Sequence, residues 1–124
     1  MKKILLFILI LFLNTSCLAE WNSWQDRDKA LFVASEVAIL ADWATTRYAT
    51  RNWNNTTYHE TNPILGQRPS TSFIDFYMMT LLLSNYYITD RLSDEIKPYY
   101  LTFRIAIHGY AAHRNMQINW HMRF

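Results

Sequence analysis

Four ionisable side chains stand where a helical protein could use them for chemistry: Asp42, Glu60, Arg104 and His108. Each interrupts or borders an apolar stretch, and a charge is tolerated inside a fold only when it is paired or hydrogen-bonded. Asp42 and Arg104 are expected to pair across two helices, with His108 one turn from Arg104 and able to share the same carboxylate. As structure, such a trio fixes helix register. As chemistry, His108 would act as a base or a ligand in a polar pocket, with Asp42 as its partner and Glu60 closing the site from a loop. Asp42, Glu60 and His108 are therefore the catalytic candidates, and Thr45, Thr46, Asn62, Arg104 and Asn115 complete the polar cluster around them.

Other chemistries have weaker support. His59, Glu60, His108 and His113 are available as metal ligands. However, His108 and His113 are five positions apart and project about 140° from each other on a helix, and no H-E-x-x-H occurs, so neither a metal nor a cofactor is expected. Ser84, His108 and Asp42 can be drawn as a nucleophilic trio, but any small helical protein offers such trios by chance. The sequence has no G-x-S-x-G and no phosphate-binding loop.

The elements that must position these residues are helices. Two glycines in 124 residues are too few for the tight turns of a sheet protein. The first helix is expected from near Trp24 or Asp26 to about Thr50, with Asp26 and Asp28 at the positive end of its dipole. Ser35, Asp42 and Thr46 fall at i, i+7 and i+11 on one face, with Thr45 beside them. Residues 51–70 form a polar connection whose centre, from His59 to Gly66, mixes turn formers with apolar residues and should fold back onto the helices. The second helix, from Phe73 to about Leu92, is announced by Ser72 and Asp75 in a capping-box pattern, and its polar members Thr80, Ser84 and Arg91 lie on one side. Pro98 is placed to open the third, from about Tyr99 to Gln117, striped by Arg104, His108, Asn115 and Asn119. The expectation is an all-α three-helix bundle with a long ordered loop between the first and second helices. Neither an internal repeat nor a sustained heptad is present.

The N-terminus reads as a signal peptide over residues 1–19: Lys2 and Lys3, an apolar run over residues 4–13, then small and polar residues to Ala19. Ten apolar residues are too few for a permanent anchor, which needs about twenty. Cleavage after Ala19 would leave a single helical domain over residues 20–124. Alternatively, Ser16-Cys17 is a lipoprotein site at which Cys17 is lipidated. Cys17 is the only cysteine, so no disulfide can brace the domain. Loss of Lys2 and Lys3 leaves ten basic and ten acidic residues, which argues against a nucleic-acid partner.

Membrane is the expected partner, with an envelope protein as the other candidate. In lipid the three polar stripes would turn inward and satisfy one another; in water they would turn outward. Trp21, Trp24, Trp43, Tyr86, Tyr99 and Trp120 lie near helix ends, as in an interfacial belt. Against insertion stand Glu36, Asp42, Arg104 and a mean hydropathy of −0.12.

From Asp42-Trp43-Ala44-Thr45-Thr46-Arg47 to Glu60-Thr61-Asn62-Pro63-Ile64-Leu65-Gly66-Gln67-Arg68-Pro69-Ser70, the chain resembles a family of uncharacterised small exported helical proteins of bacteria and phages. Many of these are predicted lipoproteins or membrane proteins. The shared pattern is D-W-x-x-T-R followed by E-x-N-P-I-L-G-x-x-P-S. The resemblance implies no known activity, and it places Asp42, Thr45, Glu60 and Asn62 in one recurring unit. The leading expectation is a non-catalytic envelope protein that binds membrane or an envelope partner from the periplasmic side. The alternatives are a membrane-proximal hydrolase of lipid or cell-wall material and, from the resemblance alone, a phage-derived superinfection-exclusion or lysis accessory factor.

Overall fold

A computed structural model describes residues 21–55 and 57–118. Cys17 and Asn119 lie outside the described residues. Three helices account for most of what is described, and no strand occurs among those residues: α1 (Asp26–Thr50), α2 (Thr71–Arg91) and α3 (Lys97–Gln117), with one 3-10 turn at Trp53–Asn55. α1 is the central element. It packs most extensively along α3 and also along α2, whereas α2 and α3 touch only marginally.

Paired contacts fix the directions. Trp24 Nε1 donates to Asp90 Oδ1 at 3.2 Å at one end of α1, and the Thr50 and Thr71 hydroxyls meet at 2.6 Å at the other, so α2 runs antiparallel to α1. Lys97 lies over the Trp24 ring and Ile118 packs against the Ala49 and Trp53 cluster, so α3 runs parallel to α1. The bundle thus has a short-turn end and a long-loop end.

The helix starts differ in detail from the sequence expectation. Ser70, rather than Ser72, caps α2, its hydroxyl accepting from the Phe73 amide at 3.2 Å. Asp75 is freed from capping and reaches α1 instead, accepting from Trp43 Nε1 at 2.8 Å and pairing with Arg47 at 3.0 Å. α3 begins at Lys97 with Pro98 in its first turn, where a missing backbone donor is harmless.

The long loop is ordered by its own turn residues. Asn62 accepts the Leu65 and Gly66 amides on its carbonyl and the Ile64 amide on its side chain. Gly66 takes a φ of 74°, a left-handed conformation that any side chain would resist. The turn presents Leu65 to Ile74 and Met78, where all three are buried.

The interior of the bundle is unusually polar. Of the nine largest fully buried side chains, Asn85, Thr45, Thr46, Thr89, Asp28 and Ser35 are polar, and only Ile39, Ile74 and Leu101 are apolar. Outside, α1 exposes Val33, Val37 and Leu40, and α2 exposes Phe76, Met79 and Leu83. α3 exposes Phe103, Ile107 and Tyr110. On α2, Thr80 and Arg91 face outward and Ser84 is half-buried, while Asn85 and Thr89 are the polar residues turned inside. Among the described residues no helix is long and apolar enough to cross a membrane.

Candidate functional site

Asp42 sits on the face of α1 turned toward α3, and His108 meets it there. His108 Nδ1 lies 2.7 Å from Asp42 Oδ2, with both side chains nine-tenths or more buried. An ionised carboxylate only accepts, so Nδ1 is the nitrogen whose proton points at Asp42. The other Asp42 oxygen accepts from Thr46 Oγ1 at 3.2 Å.

Around the Asp42 carboxylate the donors and acceptors match. Thr45 directs its hydroxyl proton at the Ala41 and Asp42 carbonyls, each at 3.0 Å. Its oxygen is then open to Asn115 Nδ2, which donates to Thr45 at 3.0 Å and to Thr46 at 3.1 Å. The i, i+7 spacing of His108 and Asn115 brings both onto the α1-facing side of α3. A buried network with its members satisfied rigidifies a core; one left half-satisfied is costly.

Glu60 approaches from the loop. Its backbone amide donates to the Gln67 carbonyl at 3.0 Å, and its Oε1 accepts from the Asn62 amide at 2.8 Å. Burial raises the Glu60 carboxyl above its ordinary 4.5; the Asn62 amide opposes that and the charge of nearby Asp42 adds to it. Asn62 stands one shell further out, donating to the Tyr77 hydroxyl at 3.2 Å.

Arg104 is not in this group. The expected Asp42–Arg104 pair does not form, because His108 takes the carboxylate. Arg104 lies instead near Glu36 and Tyr100, one turn toward the short-turn end. The Ser84 trio is not assembled either: Ser84 Oγ donates to Leu81 O in its own helix at 3.2 Å, and His108 Nε2 is buried without a hydrogen-bond partner. His59 and His113 are exposed. Among the described residues no group of three or more His, Cys, Asp or Glu side chains could hold a metal ion.

A second polar layer went unforeseen. Asn85 Nδ2 on α2 donates to Ser35 Oγ at 2.8 Å and to Glu36 Oε1 at 2.6 Å on α1, and Glu36 in turn feels Arg104 and His108. The available signal was Asn85 itself, an amide four residues before Thr89 inside the uncharged stretch of the helix between Asp75 and Asp90. The two layers make a polar spine along α1, from Ser35 through Glu36 and Asp42 to Thr46.

No protein-family model matches the chain, and no curated protein and no solved structure shows significant similarity to it.

The pair should behave as coupled glue. Asp42→Asn and His108→Gln are each expected to lower unfolding stability by about 3 to 5 kcal/mol, since either leaves a buried partner uncompensated. The double substitution should cost clearly less than the sum; additive losses in a denaturant-unfolding cycle would contradict the pairing. Glu60 gives a pH signature. A carboxyl raised by folding holds its proton more tightly in the folded state, so its contribution to stability is full below 4.5 and is lost as pH rises through the raised value. Glu60→Gln keeps the acceptor for Asn62 and should remove this dependence, so the melting temperature of wild type relative to the variant should fall as pH rises from 4.5 toward neutrality.

Proposed function

We propose that this is a cell-envelope helical protein that works without catalysis by binding the membrane. Residues 1–19 would serve as its export signal, and the mature domain would act from the periplasmic side. The observation that carries the reading is the distribution of polarity: hydroxyls, an amide and carboxylates share the bundle interior with a small apolar core, while many large apolar side chains lie on its outside. In water that arrangement forgoes the burial of apolar surface that holds small domains together, worth about 25 cal/mol per Å². In or against lipid the apolar exterior costs nothing, and polar interhelical contacts are the natural adhesive. On this reading Asp42, His108, Thr45, Thr46 and Asn115 set register and Glu60 fastens the loop over them.

A second reading is a membrane-proximal hydrolase of lipid or cell-wall material. One observation favours it. A histidine used only as glue has no need of a second nitrogen without a partner, and His108 Nε2 is buried without one while Nδ1 faces Asp42. There His108 would be the base, Asp42 its orienting partner and Glu60 the acid.

Fractionation of cells labelled with radioactive palmitate tests the first reading. The chain is expected in the membrane fraction; label should be incorporated if Cys17 is processed as a lipoprotein site and lost on Cys17→Ser. Recovery of the whole protein as a soluble periplasmic monomer would contradict membrane binding. Hydrolysis of envelope lipid or peptidoglycan by the purified protein, abolished in His108→Gln with the fold intact, would favour the second reading.

A further inference from the structure

The apolar exterior is a belt. Between Lys29 and Arg47 on α1, every exposed residue is Ala, Val or Leu. Between Asp75 and Asp90 on α2, the exposed residues are Phe76, Met79, Thr80, Leu83 and Ile88. The one hydroxyl among them, Thr80 Oγ1, is spent on the Phe76 carbonyl at 2.8 Å. Between Lys97 and His113 on α3, the exposed residues are again uncharged. The four acidic, basic or imidazole side chains that fall within these limits, Glu36, Asp42, Arg104 and His108, are all buried or half-buried.

Charge returns at both ends. The short-turn end carries Asp26, Arg27, Arg91, Asp94 and Glu95, and the loop end carries Arg51, Arg68 and Arg114, all exposed. Tryptophans accompany each: Trp21 and Trp24 at the first, in an aromatic group with Phe32 and Tyr86, and Trp43 and Trp53 at the second. At 1.5 Å of rise per residue the uncharged stretches are roughly 20 to 25 Å tall. A hydrocarbon core is about 30 Å, and a shortfall of a few Å is met by local thinning at modest cost.

Three occupants could cover such a surface. A second copy or a protein partner covers one face, and the apolar run at residues 4–13 would span roughly 15 Å as a helix, enough for a single groove. The belt continues around all three helices, which only a solvent-like medium matches. Among the described residues no single helix is long and apolar enough to cross a membrane by itself, but Ser35, Asp42, Asn85 and His108, which lower the hydropathy of the helices, are buried inside the bundle and leave its outer surface apolar.

We infer that the partner of this surface is bilayer hydrocarbon, with the three helices upright, the belt immersed and the two charged ends in opposite headgroup layers. This rests on the membrane-binding reading above and adds depth and orientation to it.

The full chain carrying Cys17→Ser, reconstituted in vesicles of phosphatidylethanolamine and phosphatidylglycerol, provides the test. It should still float with the vesicles after an alkaline carbonate wash. Spin labels placed singly at Val37→Cys, Leu83→Cys and Ile107→Cys should collide with oxygen and lose collisions with a water-soluble nickel chelate. Labels at Glu95→Cys and Arg114→Cys should show the reverse. Should a belt label prevent folding, Val33, Met79 and Phe103 are substitutes on the same stripes. Flotation with chelate-accessible labels on any of the three helices would overturn immersion and leave surface binding standing. If the chain with Cys17 intact also fails to float, the membrane reading itself falls.

Discussion

The contact between Asp42 and His108 is the constraint on which the bundle turns. It joins α1 to α3 at 2.7 Å in a region where few apolar side chains are available to do so. Two buried groups that must find each other select one rotation and one register of α3 on α1, because a shift by a single residue would swing His108 about 100° away. Thr46 and Asn115 then follow without further instruction, since their oxygens and amide fall on the same faces. Specificity of this kind is the best-attested use of buried polar pairs. It suits a fold in which many large apolar side chains point outward and only a small apolar core is left to discriminate one packing from another.

The other two junctions use the same device at smaller scale. Asn85 ties α2 to α1 through Ser35 and Glu36, and Asp75 ties it again through Trp43 and Arg47. Because α2 and α3 barely touch, α1 carries both sets of bonds, which is why the polar residues of α1 occupy more than one face. The loop closes the arrangement at the far end. Asn62 organises a turn that sets Glu60 near Asp42 and sinks Leu65 against Ile74 and Met78. One short segment therefore supplies both the polar lid and an apolar fastening.

Much of this could be read from residue type and spacing. Scarce glycine and the long uncharged stretches give the helices, and the i, i+7, i+11 set on α1 gives the inward face containing Ser35, Asp42 and Thr46. Glu60 and Asn62 were legible as a folded-back turn. The choice of partner was not: Arg104 and His108 are one turn apart on the same face, and which of them meets Asp42 depends on the axial offset of α3, fixed by the short connection after Leu92. Asn85 escaped notice because a lone amide has no periodicity. Ser70 displaced Ser72 as the cap because Asp75 is drawn to Trp43 and Arg47 across the helix pair, a tertiary demand that local capping rules do not contain.

A bundle organised from a polar interior should show its organising bond directly. Nitrogen-proton NMR of the four histidine rings in lipid nanodiscs would report it. One ring should carry its proton on Nδ1, protected from exchange with water, and that signal should vanish in Asp42→Ala and persist in Glu60→Gln. Four freely exchanging rings, or a protected proton indifferent to Asp42, would contradict the account.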